Sequence, residues 1–275
     1  MNLEERKELL DPLCELARSA GERIMAVYQR DFEVDTKDDD SPLTEADRAA
    51  HEALVKGLRE LTPGIPVLSE EGDQADFDTR RGWDNYWLVD PLDGTKEFIK
   101  KNGEFTVNIA LIQGQRPIIG IVHAPALGTT YFAAKGKGAF RTKEGETESI
   151  HTRSLSEVEG PLVAVVSRSH RGEAVDTLLE RLPEHETTSV GSSLKFCLVA
   201  EGKADLYPRF GPTSEWDTAA AQCVVETAGG KVCLVDLQPL PYNSKESLLN
   251  PDFLVFGDPA HDWSQYLEGF TVEWR

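Results

Sequence analysis

Nowhere do the 275 residues hold an apolar run near the roughly 20 that a membrane span requires, so no transmembrane segment is expected. Cysteine is scarce. Cys14, Cys197, Cys223 and Cys233 lie far apart, form no CxxC pair and sit in apolar contexts, where cysteine behaves as a small buried hydrophobe. The N-terminus, Met1 to Lys7, reads as the start of an acidic helix and lacks the apolar core of a secretion signal. Reduced thiols without such a signal point to the cytoplasm. Positive charge is also in short supply, with 29 Lys+Arg against 48 Asp+Glu and a net charge of −19. A field of that sign repels nucleic acid polymers and anionic membrane surfaces at long range. It would repel a small anionic substrate too, unless something local reverses the sign. Internal repeats are lacking, and no low-complexity tract stands out beyond one acidic loop.

What is present is ample for a core: 40% of the residues are hydrophobic, which excludes wholesale disorder. Residues 3–29 place Leu9, Leu10, Leu13, Leu16, Ala17, Ala20, Ile24 and Met25 at helical spacing. Residues 31–40 carry six acids and one lysine, Lys37, and read as a solvated loop. A second helix is expected from Thr44, where Thr44-Glu-Ala-Asp47 forms a capping-box variant. Val67 to Ser69 reads as a short strand, and Trp87 to Val89 as one that closes at Asp90 before a tight turn. Residues 107–112 with 118–123, and 131–134 with 138–141, read as hairpins. After a polar stretch at 154–160 the rhythm changes. Strands are expected at 162–166, 187–190, 205–207, 232–235 and 253–256, with helices at 173–182, 193–201 and 218–228, an alternation that favours an α/β layer. The expected division is an N-terminal α+β half, 1–155, that binds metal and a C-terminal α/β half, 156–275, that completes the site.

Asp90-Pro-Leu-Asp-Gly-Thr95 is the most informative segment. Pro91 and Gly94 force a turn, so two carboxylates three residues apart can converge, joined by the Leu92 carbonyl. Hard cations such as Mg²⁺ favour this oxygen-only ligation. Gly94 and Thr95 then open a helix whose backbone N–H groups suit phosphate. The same segment also reads as a strand–turn–helix with a capping Asp. Glu70-Glu71 after a short strand is either a metal site or a solvated acid pair. Asp217, before an Ala-rich helix, is either a ligand or a cap.

Taken together, Leu43-Thr-Glu-Ala-Asp47, Leu68-Ser-Glu-Glu-Gly72, Asp90-Pro-Leu-Asp-Gly-Thr95 and Trp216-Asp-Thr-Ala-Ala220 resemble the inositol monophosphatase family of metal-dependent, lithium-sensitive phosphatases, over residues 10–257. The longer string from Asp90 to Ile112, with Lys96-Glu97-Phe98 directly after the turn, resembles its CysQ-type branch of 3′(2′),5′-bisphosphate nucleotidases. The resemblance implies a layered α-β-α-β-α sandwich of the α/β (α+β) class. It implies that Glu70, Asp90, the Leu92 carbonyl, Asp93 and Asp217 hold two Mg²⁺ ions, with a third near Glu71. Thr95 and Asp47, with Glu70, would orient and deprotonate the attacking water. Paired metals about 3.5–4 Å apart bridge phosphate oxygens and stabilise the leaving oxygen.

For the substrate, the resemblance implies contacts from Gly94, Thr95, Ser167, His170, Gly191, Lys195 and Asp217, with Lys195 pairing the non-scissile 5′-phosphate. Read on their own, His170 is an exposed loop histidine and Gly191-Ser-Ser a helix cap. Glu215 lies where inositol phosphatases place a residue against sugar hydroxyls, Lys37 is a candidate lid residue, and Lys100-Lys101 are surface charges that assist steering. The implied activity is removal of the 3′-phosphate from adenosine 3′,5′-bisphosphate, and from its sulfated analogue 3′-phosphoadenylyl sulfate, within sulfate assimilation. The alternative is an inositol or other sugar monophosphate phosphatase with the same metal site. The expected partners are a small phosphorylated nucleotide and Mg²⁺. The expected location is the cytoplasm, including the cytoplasmic face of the inner membrane; oligomeric state is left open.

Overall fold

Asn2 accepts a hydrogen bond from the Glu5 backbone and Glu5 answers it, which starts α1 (Leu3–Tyr28) on a capping box. The structure is a computed structural model that describes residues 1–36, 42–156, 159–167 and 172–275. After α1, β1 (Val34–Thr36), inside the segment 31–40 read from its charge as a loop, pairs antiparallel with β2 (Pro42–Thr44). Lys37 lies outside the described residues. Then follow α2 (Glu45–Leu61), β3 (Val67–Ser69), the one-turn α3 (Phe77–Arg80), β4 (Asn85–Asp93) and α4 (Thr95–Ile99). The hairpin strands β5 (Thr106–Gln113), β6 (Arg116–Ala124), β7 (Thr129–Ala134), β8 (Gly138–Lys143) and β9 (Glu146–Ser149) complete a seven-stranded sheet in the order β3-β4-β5-β6-β7-β8-β9. Only β3 and β4 run parallel in it.

The rest of the chain supplies β10 (Leu162–Val165), α5 (Glu173–Arg181), β11 (His185–Thr188), α6 (Leu194–Ala200), β12 (Leu206–Arg209), α7 (Glu215–Ala228), β13 (Lys231–Leu234) and β14 (Phe253–Phe256). Its strands form a five-stranded mixed sheet in the order β11-β10-β12-β14-β13. The strand expected at 187–190 lies two residues earlier, so Val190 belongs to the loop entering the site. The helix expected from Thr218 starts at Glu215, because Ser214 is its N-cap and Asp217 its third residue.

Side-chain parity in the seven-stranded sheet explains the layering. Trp87, Val89, Ile109, Leu111, Ile119 and Ile121 join α1 and α2 in one core, while Tyr86, Leu88, Ala110, Ile112 and Val122 join α6 and α7 in another. Both faces are covered, so these strands read as continuous apolar runs. The five-stranded sheet closes the far side of α6 and α7, and α5 covers its outer face through Val175, Leu178 and Leu179. The result is the expected α-β-α-β-α sandwich. All four cysteines are buried and free. Among the described residues no helix is long and apolar enough to cross a membrane.

Candidate metal centre and nucleotide cavity

In a regular strand, residues three apart face opposite sides of the sheet. β4 breaks that rule where it matters. Asp90 pairs with Asn108 and Asp93 with Thr106, so three steps on β4 match two on β5, and one residue is bulged out. The strand therefore runs on to Asp93 rather than closing at Asp90, and the bulge brings both carboxylates to one side. Asp90 Oδ1 accepts the Leu92 N–H at 3.0 Å, which holds the turn. Gly94 follows with φ +92°, a conformation that a side chain would strain. Asp217 arrives from the opposite layer, its Oδ2 accepting the Ser214 N–H at 2.8 Å.

One ligand oxygen from each of Asp90, Asp93 and Asp217 lies within 4.8 Å of the other two, the sole such trio of His, Cys, Asp or Glu among the described residues. Glu70, carried in by β3 beside β4, shares a hydrogen bond with Asp90. Burial, then the charges of Glu70, Asp93 and Asp217, pushes the Asp90 carboxyl far above the usual range. Burial with Asp93 and Glu70 pushes Asp217 up to about 8, and burial raises Asp93 as well. Carboxylates crowded in this way repel one another until a cation joins them, and an all-oxygen donor set suits a hard divalent ion. The residues present therefore fit the metal site that the sequence implies.

A dedicated set of donors orients Asp93. Its Oδ2 accepts from the Ser193 N–H at 2.6 Å, from Thr106 Oγ1 at 3.3 Å and from Asn108 Nδ2 at 3.4 Å. Asp47 is likewise anchored: Thr44 donates its N–H and its hydroxyl to Asp47 Oδ2 at 2.7 and 2.6 Å. The Thr95 hydroxyl lies 3.3 Å from both Asp47 Oδ1 and the Leu92 carbonyl. Thr95 and Asp47 are thus side by side.

Glu70, Asp93, Gly94, Thr95, Ser167, Gly191, Lys195 and Asp217 all line one open cavity of about 360 Å³. Gly191 is there because nothing larger fits: a Cβ would lie 2.7 Å from the Glu104 carbonyl oxygen and from Glu97 Cγ. Lys195 is 8% exposed, donates to the Ser192 carbonyl at 2.7 Å and faces the Tyr207 ring at 5.6 Å. Burial pulls its ammonium down to about 8, opposed by Asp93. His170, Arg168 and Ser169 lie outside the described residues. Glu71 is not part of the cavity wall.

Two expectations change. Glu215 does not face the cavity. It is 2% exposed, and both its oxygens accept the Asn243 N–H at 3.0 Å. Lys101 is more than a surface charge: it lies 4.6 Å from the Tyr28 ring and 4.7 Å from the Phe32 ring and donates to the carbonyls of Tyr28, the last residue of α1, and of Arg30 beyond it. Arg209 was missed. It lines the cavity at 7% exposure, donates to the Pro212 carbonyl at 2.7 Å, and has its Nε buried without a hydrogen-bond partner among the described residues. A lone arginine at the end of a strand in so acidic a chain was the available signal.

Residues 5–262 match the profile of the Inositol monophosphatase family. The chain is 54% identical over 249 residues to the 3′(2′),5′-bisphosphate nucleotidase CysQ of Salmonella typhimurium, covering 90% of this chain and 99% of that one. Its fold resembles the crystal structure of CysQ from Bacteroides thetaiotaomicron, with TM-score 0.77, 47% identity and coverage of 88% and 94%. It also resembles an IMPase from Thermotoga maritima, with TM-score 0.76, 26% identity and coverage of 94% and 95%.

Proposed function

This chain belongs to the inositol monophosphatase family, and from that premise we propose that it is a Mg²⁺-dependent phosphomonoesterase that converts adenosine 3′,5′-bisphosphate to AMP. Water attacks the 3′-phosphorus, the bond to the ribose 3′-oxygen breaks, and that oxygen leaves with a proton as the hydroxyl. The same 3′-group is present on 3′-phosphoadenylyl sulfate, which is a second substrate in this reading. The work belongs to the cytoplasm.

The observation that carries the proposal is the polarity of the cavity. Its floor is a cluster of carboxylates, and its wall holds two buried cations, Lys195 and Arg209. A substrate with two anionic groups engages both the carboxylate floor and the cationic wall. The 3′-phosphate sits over the carboxylate floor, and the 5′-phosphate pairs with Lys195 and Arg209 as charge-assisted hydrogen bonds. A sugar monophosphate leaves the cationic wall unused.

The N-terminal half, 1–155, supplies Asp47, Glu70, Asp90, the Leu92 carbonyl, Asp93 and Thr95. The C-terminal half, 156–275, adds Asp217 and the wall with Ser167, Gly191, Lys195 and Arg209, and His170 is assigned to the nucleotide by the family resemblance alone. Two Mg²⁺ held by Glu70, Asp90, Leu92, Asp93 and Asp217, with a third beside Glu71, would neutralise the phosphate oxygens and acidify the attacking water. The Thr95 hydroxyl gives its hydrogen to Asp47, which leaves its lone pairs turned to the water. Asp47 then takes the proton through Thr95, its other oxygen held still by Thr44. Gly94 and Thr95 present backbone N–H groups at the phosphate.

The test is phosphate release from adenosine 3′,5′-bisphosphate, inositol 1-phosphate and fructose 1,6-bisphosphate, with and without Mg²⁺ and Li⁺. The expected result is a strong preference for the nucleotide, loss of activity on chelation, and inhibition by Li⁺. Comparable rates on all three substrates would overturn the nucleotide reading, and activity that survives thorough chelation would overturn the metal mechanism.

A further inference from the structure

Glu215 stands two residues before Asp217 yet points away from the cavity, into a buried polar knot that the proposed chemistry does not use. Both its oxygens accept the Asn243 N–H at 3.0 Å. Asn243 has φ +52°, and its side chain is locked to Arg80. Arg80 Nη1 donates to Asn243 Oδ1 at 2.5 Å, and Asn243 Nδ2 donates back to the Arg80 carbonyl at 2.6 Å. Arg80, 2% exposed, also donates to the carbonyls of Lys245 and Glu246. From there the loop reaches α7 again. The Glu215 N–H donates to the Leu248 carbonyl at 2.8 Å, and Asn250 Nδ2 donates to the Ser214 carbonyl at 2.8 Å and to Thr218 Oγ1 at 3.1 Å.

The first turn of α7, which carries Asp217, is thus gripped from one side by residues 243–250. That loop is in turn fixed by α3, which the chain enters directly from the Glu70 segment. A buried arginine held by three acceptors, with its partner amide bonded in both directions, leaves few alternative arrangements. We propose that Glu215 is a positioning residue for Asp217, acting through Asn243 and Arg80, and that it makes no contact with substrate. The inference rests on the cation-binding role proposed for Asp217.

A substrate contact and a positioning role separate cleanly in kinetics. We would compare Glu215→Ala, Glu215→Gln and Asn243→Gly in the full chain. Mg²⁺ alone is titrated by calorimetry, and KM for adenosine 3′,5′-bisphosphate is measured at saturating Mg²⁺. Outer-shell partners of metal ligands typically govern about 10–100-fold in metal affinity. Glu215→Ala is expected to weaken Mg²⁺ binding by at least about tenfold while KM stays within about twofold. Glu215→Gln keeps an acceptor for Asn243 and should recover most of the affinity. Asn243→Gly suits the positive φ and cuts the tie to Arg80, so it should weaken Mg²⁺ binding on a soundly folded chain and decides the matter if Glu215→Ala does not fold. A large rise in KM with unchanged Mg²⁺ affinity would overturn the inference in favour of a sugar contact. Unchanged Mg²⁺ affinity in all three variants would overturn it as well. Because calorimetry needs no turnover, a wild-type chain that fails to hydrolyse the nucleotide would count against the proposed activity and leave this test standing.

Discussion

At the scale of single residues, the site divides by how each group earns its place. Asp90, Asp93 and Thr95 are legible because they share one six-residue segment whose Pro91 and Gly94 announce a turn. Asp217 is legible only in company, since Ser214 and Asp217 also satisfy the helix start as a capping pair. Arg209 was legible only as a lone arginine at a strand end, and the burial of Glu215 was not legible, because it depends on which loop lies across from it. Thr95 offers the sharpest test of the proton path. Its hydroxyl contacts are long, at 3.3 Å, so Thr95→Val keeps the shape and loses little packing. What it removes is the proposed link between water and Asp47. Positioned proton transfer typically contributes about 10²- to 10⁴-fold. Steady-state kinetics of Thr95→Val should therefore show kcat down by about that factor, with KM and Mg²⁺ half-saturation within about threefold. A kcat within about threefold of wild type would remove Thr95 from the path.

At the scale of elements, the helices and hairpins of the first half follow from apolar spacing and capping. The departures have physical causes. β1 was hidden by the charge of residues 31–40, because solvated acidic side chains do not prevent a short strand from pairing with β2. The continuation of β4 to Asp93 needs a bulge, and a bulge is a property of two strands, not one. The seat of α7 is similar. A Cβ added to Gly120 on β6 would lie 2.1 Å from the Ala220 carbonyl oxygen and 2.8 Å from Cys223 Cβ, so helix and sheet meet there backbone to backbone. Gly120→Ala must push α7 outward, and α7 carries Asp217 one turn from the contact. Overpacking of this kind costs about 1–3 kcal/mol, and more where backbone is the obstacle. Denaturant unfolding should place the variant at or beyond the upper end of that range, with Mg²⁺ affinity reduced in parallel. Full stability in Gly120→Ala would mean that the layers slide freely, and the rigid seating of Asp217 would have to be abandoned.

At the scale of the whole molecule, the excess of acids counts unequally. Charges on the solvated surface are screened over about 8 Å at physiological salt, so most of the −19 weakens before it reaches the cavity. Glu70, Asp90, Asp93 and Asp217 are packed together and are not screened in that way. They make the metal-free fold carry a repulsion whose relief is coupled to cation binding, so metal affinity and folding stability are one equilibrium. At Mg²⁺ about 100-fold above its dissociation constant the folded state gains about 2.7 kcal/mol. For a chain of this size that raises the melting temperature by several degrees, at roughly 2–4 °C per kcal/mol. Asp93→Asn separates the two effects. The asparagine oxygen can take over the donors from Ser193, Thr106 and Asn108, so the fold is kept while one charge of the cluster is removed. Thermal unfolding should show Asp93→Asn without metal at least as stable as wild type without metal, and nearly indifferent to Mg²⁺. Sodium chloride at matched ionic strength should not reproduce the wild-type shift, because screening acts on the surface and ligation on the cluster. If Asp93→Asn kept the full Mg²⁺ shift, the stabilising cation would be bound elsewhere, and the cluster would lose its place as the local reversal of sign that lets a chain this acidic hold a phosphate.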